Sequence, residues 1–168
     1  MDPAWAYLSI GSNLGERLDN CCRAIQHLTA DGTVKVLARS PFYESEPVDY
    51  LTQRWFLNAA MKIETGLAPH ALLDKLKGIE QRMGRTPDKV RFGPRVLDLD
   101  IILYEDRILS CEHLVIPHPR MHKRRFVLQP ICDIDPVVMH PILQHDVNTL
   151  LNQLGAYGQR LMPCSFDC

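Results

Sequence analysis

Phe56-Leu57-Asn58-Ala59-Ala60-Met61-Lys62-Ile63 alternates along its length, so Leu57, Ala59, Met61 and Ile63 share one face of an extended segment and Phe56, Asn58, Ala60 and Lys62 share the other. Upstream, Thr33 to Ser40 alternates too, with Val34, Val36 and Ala38 on one side and Pro41 near its close, and the two segments are expected to pair. Between them, from Pro41 to about Arg54, the chain is polar and proline-punctuated, a connection long enough to predict a functional loop or lid. Downstream, Pro69 suits the first turn of a helix whose stripe is Leu72, Leu73, Leu76, Ile79 and Met83 and which Gly84 terminates. Nearer the start, the apolar run Ala4 to Ile10 reads as a buried strand entering a tight turn at Gly11-Ser12-Asn13. Leu14, Leu18, Cys22, Ile25 and Leu28 then recur at steps of three and four, predicting a helix that ends at Gly32. Val96 to Tyr104 is strand-like, and beyond a turn at Glu105-Asp106 the stretch Arg107-Ile108-Leu109 is expected to return as its short partner.

The resulting order, strand, helix, strand, strand, helix, strand, is the split βαβ pattern of a ferredoxin-like α+β sandwich, an antiparallel-rich sheet with helices packed on one face. After it, Pro117, Pro119, Pro130, Pro136 and Pro141 interrupt any periodicity, which predicts an irregular C-terminal extension. The 168 residues are read as a single domain, 1–168, with the tail after about 156 peripheral.

Composition narrows the function classes. With 46% hydrophobic and 23% charged residues the chain is neither disordered nor membrane-embedded. A formal net charge of -1 supplies no global field for nucleic acid or an anionic membrane, so any anion site is local. The start carries no targeting pattern, and six cysteines without a C-x-x-C pair are read as free thiols in a reducing compartment, which predicts a cytoplasmic protein.

Chemistry concentrates in Leu97-Asp98-Leu99-Asp100-Ile101. Alternation sends both carboxylates to one face, roughly 7 Å apart along the backbone, from two residues at about 3.4 Å each. Two carboxylates so placed repel unless a cation lies between them, and hard oxygen ligands suit Mg²⁺; the competing reading is two structural ion pairs with nearby arginines. Around the pair gather Arg82, Arg85, Lys89, Arg91 and Arg95 before it and His118, His122, Lys123, Arg124 and Arg125 after it. Cations around a metal-binding pair are what a polyphosphate requires. Gly11-Ser12-Asn13-Leu14-Gly15 lacks the P-loop spacing and reads as a strand-to-helix turn. Phe56 and Asn58, with Phe92 and Phe126, can form a slot that stacks a flat heterocycle and reads its edge by hydrogen bonds.

These segments together, Gly11-Ser12-Asn13, Phe56 to Ala60, Gly84-Arg85, Arg91 to Asp100, Pro117 to Met121, Arg124 and Phe126-Val127-Leu128, resemble the 6-hydroxymethyl-7,8-dihydropterin pyrophosphokinase family in order and spacing over roughly residues 4 to 155. The resemblance implies transfer of pyrophosphate from ATP to the pterin hydroxymethyl group in folate biosynthesis, with two Mg²⁺ ions. By motif, Asp98 and Asp100 hold the metals, and Arg85 and Arg95 grip the phosphates from the basic loop. Glu80, Arg91, His118 and Arg124 make further nucleotide contacts and Ile101 lines the adenine side. Phe56 and Phe126 sandwich the pterin, Asn58 reads its edge, and Ser45, Glu46, Pro47 and Val48 close around it. Pro87, Asp88 and Phe92 depart from the family's pattern in the basic loop. The expected partners are these two small molecules, with no nucleic acid and no membrane, acting on a monomer. Two rivals remain: a base-stacking nucleic-acid module, which two aligned aspartates disfavour, and a metal-dependent phosphohydrolase acting on ATP without a pterin.

Overall fold

The computed structural model describes residues 2–86, 93–156 and 158–168. Strand β1 (Ala4–Ser12) lies between two antiparallel neighbours, β4 (Phe56–Thr65) and β5 (Asp98–Tyr104). The far edge of β4 is shared by two strands placed end to end. β2 (Val34–Arg39) pairs with its last residues, Val34 opposite Thr65, and β3 (Tyr43–Ser45) with its first, Ser45 opposite Phe56. The expected pairing of β4 with the preceding strand therefore holds, while the loop predicted from Pro41 to Arg54 is in part the strand β3. A short C-terminal strand, β8 (Leu161–Pro163), adds to the outer edge of β3, giving the order β5-β1-β4-β3-β8 with β2 beside β4. Leu109–Ser110 (β6) pairs with Val115–Ile116 (β7) as a separate hairpin, not with β5 as expected.

One face carries α1 (Arg17–Thr29) and α2 (Pro69–Arg82), as the ferredoxin-like pattern predicts. Cys21, Ala24, Leu28, Leu72, Leu76 and Ile79 are buried there against Ala6, Leu8, Ile10, Leu57, Ala59, Met61 and Ile63, the apolar sets that strand alternation assigns to this side. The buried stripe of α1 is turned by one position from expectation. Leu14 precedes the helix and is exposed, and Cys21 rather than Cys22 enters the core. Pro69 begins α2, and Gly84, at φ 90°, occupies the left-handed position just past its end.

The other face corrects the expectation of helices on one side only. The proline-rich stretch read as irregular contains α3 (Arg125–Ile134) and α4 (Val147–Gln153), which bury Val127, Leu128, Ile131, Val147 and Leu150 against Tyr7, Ala60, Ile102 and Leu103. Tyr7 also donates its hydroxyl proton to Asp135 (2.8 Å), tying the end of α3 to β1. A second core thus covers only part of this face, and the uncovered part forms the cavity described below.

Two expectations about the tail are overturned. Residues 161–163 are a sheet strand rather than a peripheral end, and Cys22 and Cys168 form a disulfide instead of remaining free, whereas Cys21, Cys111, Cys132 and Cys164 are free thiols.

Candidate active site

On the uncovered face, the alternate positions of three neighbouring strands converge: Ser9 and Gly11 from β1, Phe56 and Asn58 from β4, and Asp98, Asp100 and Ile102 from β5. They line a cavity of about 240 Å³ together with Ser45 at the end of β3, Glu46, Val48, Asp49 and Gln53 from the chain between β3 and β4, Gly93 and Arg95, His118, and Arg124, Phe126 and Val127 at the start of α3. The β5 aspartates lie on one side of β1, and Phe56 and Asn58 of β4 on the other. That volume is below the range of about 300 Å³ upward for drug-sized ligands and suits a flat heterocycle.

At the charged end, the two aspartates differ. Asp98 is ion-paired with Arg85 (3.0 Å) and Arg95 (3.1 Å), so the structural ion-pair reading holds for it. Asp100 has no such partner among the described residues. Burial, reinforced by the negative charge of Asp98, pushes its carboxyl up to about 7, against the weaker pull of Lys77 and Arg124. A half-buried carboxyl whose ionisation is opposed beside a second carboxylate is short of positive charge, which is the donor set and the electrostatic deficit that a hard divalent cation meets. The described residues contain no cluster of three or more potential ligands, and Mg²⁺ commonly takes only one or two carboxylates and completes its shell with water and substrate phosphate.

Glu80, expected to touch nucleotide, is instead buried under the strand. It receives the Leu99 N–H (2.7 Å), Lys77 (3.0 Å) and Arg85 (2.5 Å), so it aims Arg85 at Asp98 and pins β5. Ile101 is also corrected: its side chain packs in the core with α1 and α2, and Ile102 is the isoleucine that lines the cavity. His118 does line it. Its N–H donates to the Ile102 carbonyl (2.9 Å) and its Nδ1 accepts from the Arg120 N–H (3.1 Å), which leaves Nε2 carrying the proton. Burial first, then the Arg124 charge, lowers the His118 ring to about 4. Arg124 stacks on the Phe126 ring (5.5 Å). Arg91, with Pro87, Asp88, Lys89 and Phe92, lies outside the described residues.

His118 has a consequence for pH. The unfolded chain binds a proton at about 6.5 on this ring, and the folded one refuses it until about 4. Its contribution to stability is thus complete above pH 6.5 and is lost as pH falls through that window. Thermal melts of the metal-free protein should show His118→Gln losing less stability than the parent between these two pH values.

At the other end, the Asn58 carboxamide donates to the Ser45 hydroxyl. A Cβ on Gly11 would stand 2.5 Å from Asn58 Oδ1, so a glycine at this strand position is what lets the amide lie flat over β1. Gly11→Ala is expected to displace Asn58 and weaken heterocycle binding by about tenfold or more, as the loss of a buried hydrogen-bonding edge would. Titration with a flat heterocycle that binds the parent should show this while nucleotide binding holds. Pro47 is buried behind the wall and does not line the cavity, whereas Ser45, Glu46 and Val48 do.

Asn13 links the two ends. It accepts the Arg95 N–H (2.7 Å), donates its own N–H to the Arg95 carbonyl (3.0 Å), and gives its amide hydrogens to Gln53 (2.9 Å) and the Arg54 carbonyl (3.2 Å). The turn expected at Gly11 to Gly15 therefore fixes both flanking segments of the cavity. Alternation would have found Ser9, Gly11 and Ile102; the linear pattern carries no signal for Asp49, Gln53 or Gln159, the last reaching the cavity from the tail.

Residues 7–136 match the family model of 7,8-dihydro-6-hydroxymethylpterin-pyrophosphokinase. The chain is 44% identical to a 2-amino-4-hydroxy-6-hydroxymethyldihydropteridine pyrophosphokinase of Methylorubrum extorquens over 131 residues, 78% of this chain and 82% of the relative. It is 43% identical to the Bacillus subtilis protein of the same description, covering 77% of each. To the folic acid synthesis protein fol1 of Schizosaccharomyces pombe it is 42% identical over 96% of its own length, and it spans 22% of that longer protein. Among solved structures, the Plasmodium falciparum HPPK-DHPS crystallised with pterin and p-hydroxybenzoate superimposes with a TM-score of 0.71 over 91% of this chain and 42% of that one, at 16% identity, a likeness of fold.

Proposed function

Because the chain belongs to the 7,8-dihydro-6-hydroxymethylpterin-pyrophosphokinase family, we propose that it transfers pyrophosphate from ATP to the hydroxymethyl oxygen of 6-hydroxymethyl-7,8-dihydropterin. The products are AMP and the pterin diphosphate, a step of folate biosynthesis. The observation that carries this reading is that a single cavity holds both the Asp98–Asp100 pair, with Arg95 and Arg124, and the slot of Phe56, Asn58 and Phe126. A phosphohydrolase has no use for the second half, and a nucleic-acid module none for the first. A net charge of -1 and the lack, among the described residues, of any helix long and apolar enough to cross a membrane fit two small-molecule partners.

Phe56 and Phe126 stack the pterin between them, and Asn58, held by Ser45, reads its edge. This places the hydroxymethyl group toward β5. Arg85 and Arg95, oriented by Glu80 and Asn13, receive the triphosphate, with His118 and Arg124 beyond them. Asp98 and Asp100 would hold Mg²⁺, as two ions on this proposal, and the metal would supply Lewis-acid neutralisation of the phosphoryl oxygens. The hydroxymethyl oxygen attacks the β-phosphorus in line as the bond from that phosphorus to the α–β bridging oxygen breaks, AMP leaves, the hydroxyl proton passes to solvent, and the arginines neutralise charge on the transferred group. His118 is neutral at physiological pH and donates from Nε2, so it serves as a hydrogen-bond donor to phosphate rather than as a base. A loose transition state with little bond formation to the attacking oxygen needs no strong base.

Isothermal titration checks the two-ended site. The pterin is expected to bind, and an ATP analogue to bind only with Mg²⁺. Metal-independent nucleotide binding together with no pterin binding would overturn the assignment.

A further inference from the structure

Gln159 lies beyond the span matched by the family model, in the segment leading into β8, yet it lines the cavity. Its carboxamide bridges two separate walls: Nε2 donates to the Glu46 carbonyl (2.5 Å) and Oε1 accepts from the Phe126 N–H (3.3 Å). Each contact answers a local need. Phe126 is in the first turn of α3, where backbone N–H groups have no partner within the helix, and the residue preceding that helix makes no side-chain cap. Glu46 follows β3, and its N–H already donates to the Arg160 carbonyl (3.0 Å) while Arg160 pairs with its carboxylate (3.2 Å) and stacks on Trp55 (5.1 Å). The tail segment is thereby held against the cavity wall by several independent contacts, and β8 continues them along β3.

On the reading given above, Glu46 lies on the side of the pterin near Ser45 and Asn58, and Phe126 stacks on its face. We infer that Gln159 is a positioning residue for the pterin: by tying the Glu46 carbonyl to the Phe126 backbone it sets the width of the slot, so that the C-terminal segment governs affinity for the heterocycle and leaves the nucleotide end untouched. Its Nε2 and Oε1 face opposite walls, so an isostere that keeps the volume and changes either polar atom breaks the tie.

The test is steady-state kinetics of AMP formation with each substrate varied at saturating partner and Mg²⁺, on the full chain and on Gln159→Ala, Gln159→Met and Gln159→Glu. All three variants are expected to raise KM for the pterin about tenfold, the scale of one or two lost hydrogen bonds, and to keep KM for ATP within about twofold. Thermal melts should match the parent. Met and Glu variants with the parent's pterin KM would overturn the inference, because volume alone would then suffice. So would a parallel rise in both KM values or a lowered melt, because Gln159 would then be a general structural contact. A parent chain that forms no pterin-dependent AMP would sink the proposed function and this inference together; an active parent with unaltered variants sinks the inference alone.

Discussion

Asp100→Asn is expected to abolish pyrophosphate transfer and, in the metal-free protein, to raise thermal stability. Both effects come from the same surroundings. The carboxyl, pushed up to about 7 by burial and by Asp98, holds its proton more tightly in the folded chain than in the unfolded one, where it titrates near 3.8. Stability is therefore fullest below the unfolded value and is lost as pH rises toward the folded one, because ionising the group beside Asp98 is unfavourable in the folded chain. The neutral amide removes that cost, so the gain should be greatest above pH 7 and vanish near pH 4. The opposite slope to which His118 contributes then persists in the variant. Transfer should fall by at least about a thousandfold, because the cation that neutralises the phosphoryl oxygens loses a ligand. Asp98→Asn should also abolish transfer, yet without stabilising, because its carboxylate is paired with Arg85 and Arg95. If Asp100→Asn were destabilising at pH 8, or left transfer within tenfold of the parent, the cation role of Asp100 would be wrong.

Glu80→Ala is expected to cost about 3 kcal/mol or more, since it removes a buried carboxylate shared by Lys77, Arg85 and the Leu99 N–H. Glu80 is 1% exposed, and its loss strands the Leu99 N–H within the sheet and takes one carboxylate partner from Arg85. Chemical denaturation should report a lower midpoint with an unchanged slope. Arg85 would retain Asp98 as partner but lose its aim, so KM for ATP should rise in the same variant. Were Glu80 a nucleotide contact, as the family resemblance implies, stability would barely change and only nucleotide binding would suffer.

The parts of this account legible in the sequence are those carried by alternation and by local turn chemistry. Phe56 to Ile63 shows both faces of β4, and Leu97 to Ile101 shows which side the aspartates take. The same rule, applied one step further, would have replaced Ile101 with Ile102. Helix α3 was hidden because Pro130 interrupts its backbone hydrogen bonding, and α4 because seven residues hold too little periodicity to register. Glu80 could not be recognised as a buried pivot, because carboxylates at the surface and carboxylates under a strand have the same spelling. The Cys22–Cys168 bond spans 146 residues, and neither it nor β8 leaves a local pattern. Gln159 reaches the cavity only through that long-range closure.

The central claim, that one cavity joins a cation-binding carboxylate pair to a pterin slot, is tested most directly by measuring nucleotide products from ATP and Mg²⁺ with and without 6-hydroxymethyl-7,8-dihydropterin. The account predicts AMP, formed only when the pterin is present and in equal amount to the pterin diphosphate. Turnover of ATP without the pterin, or ADP as the product, would contradict it.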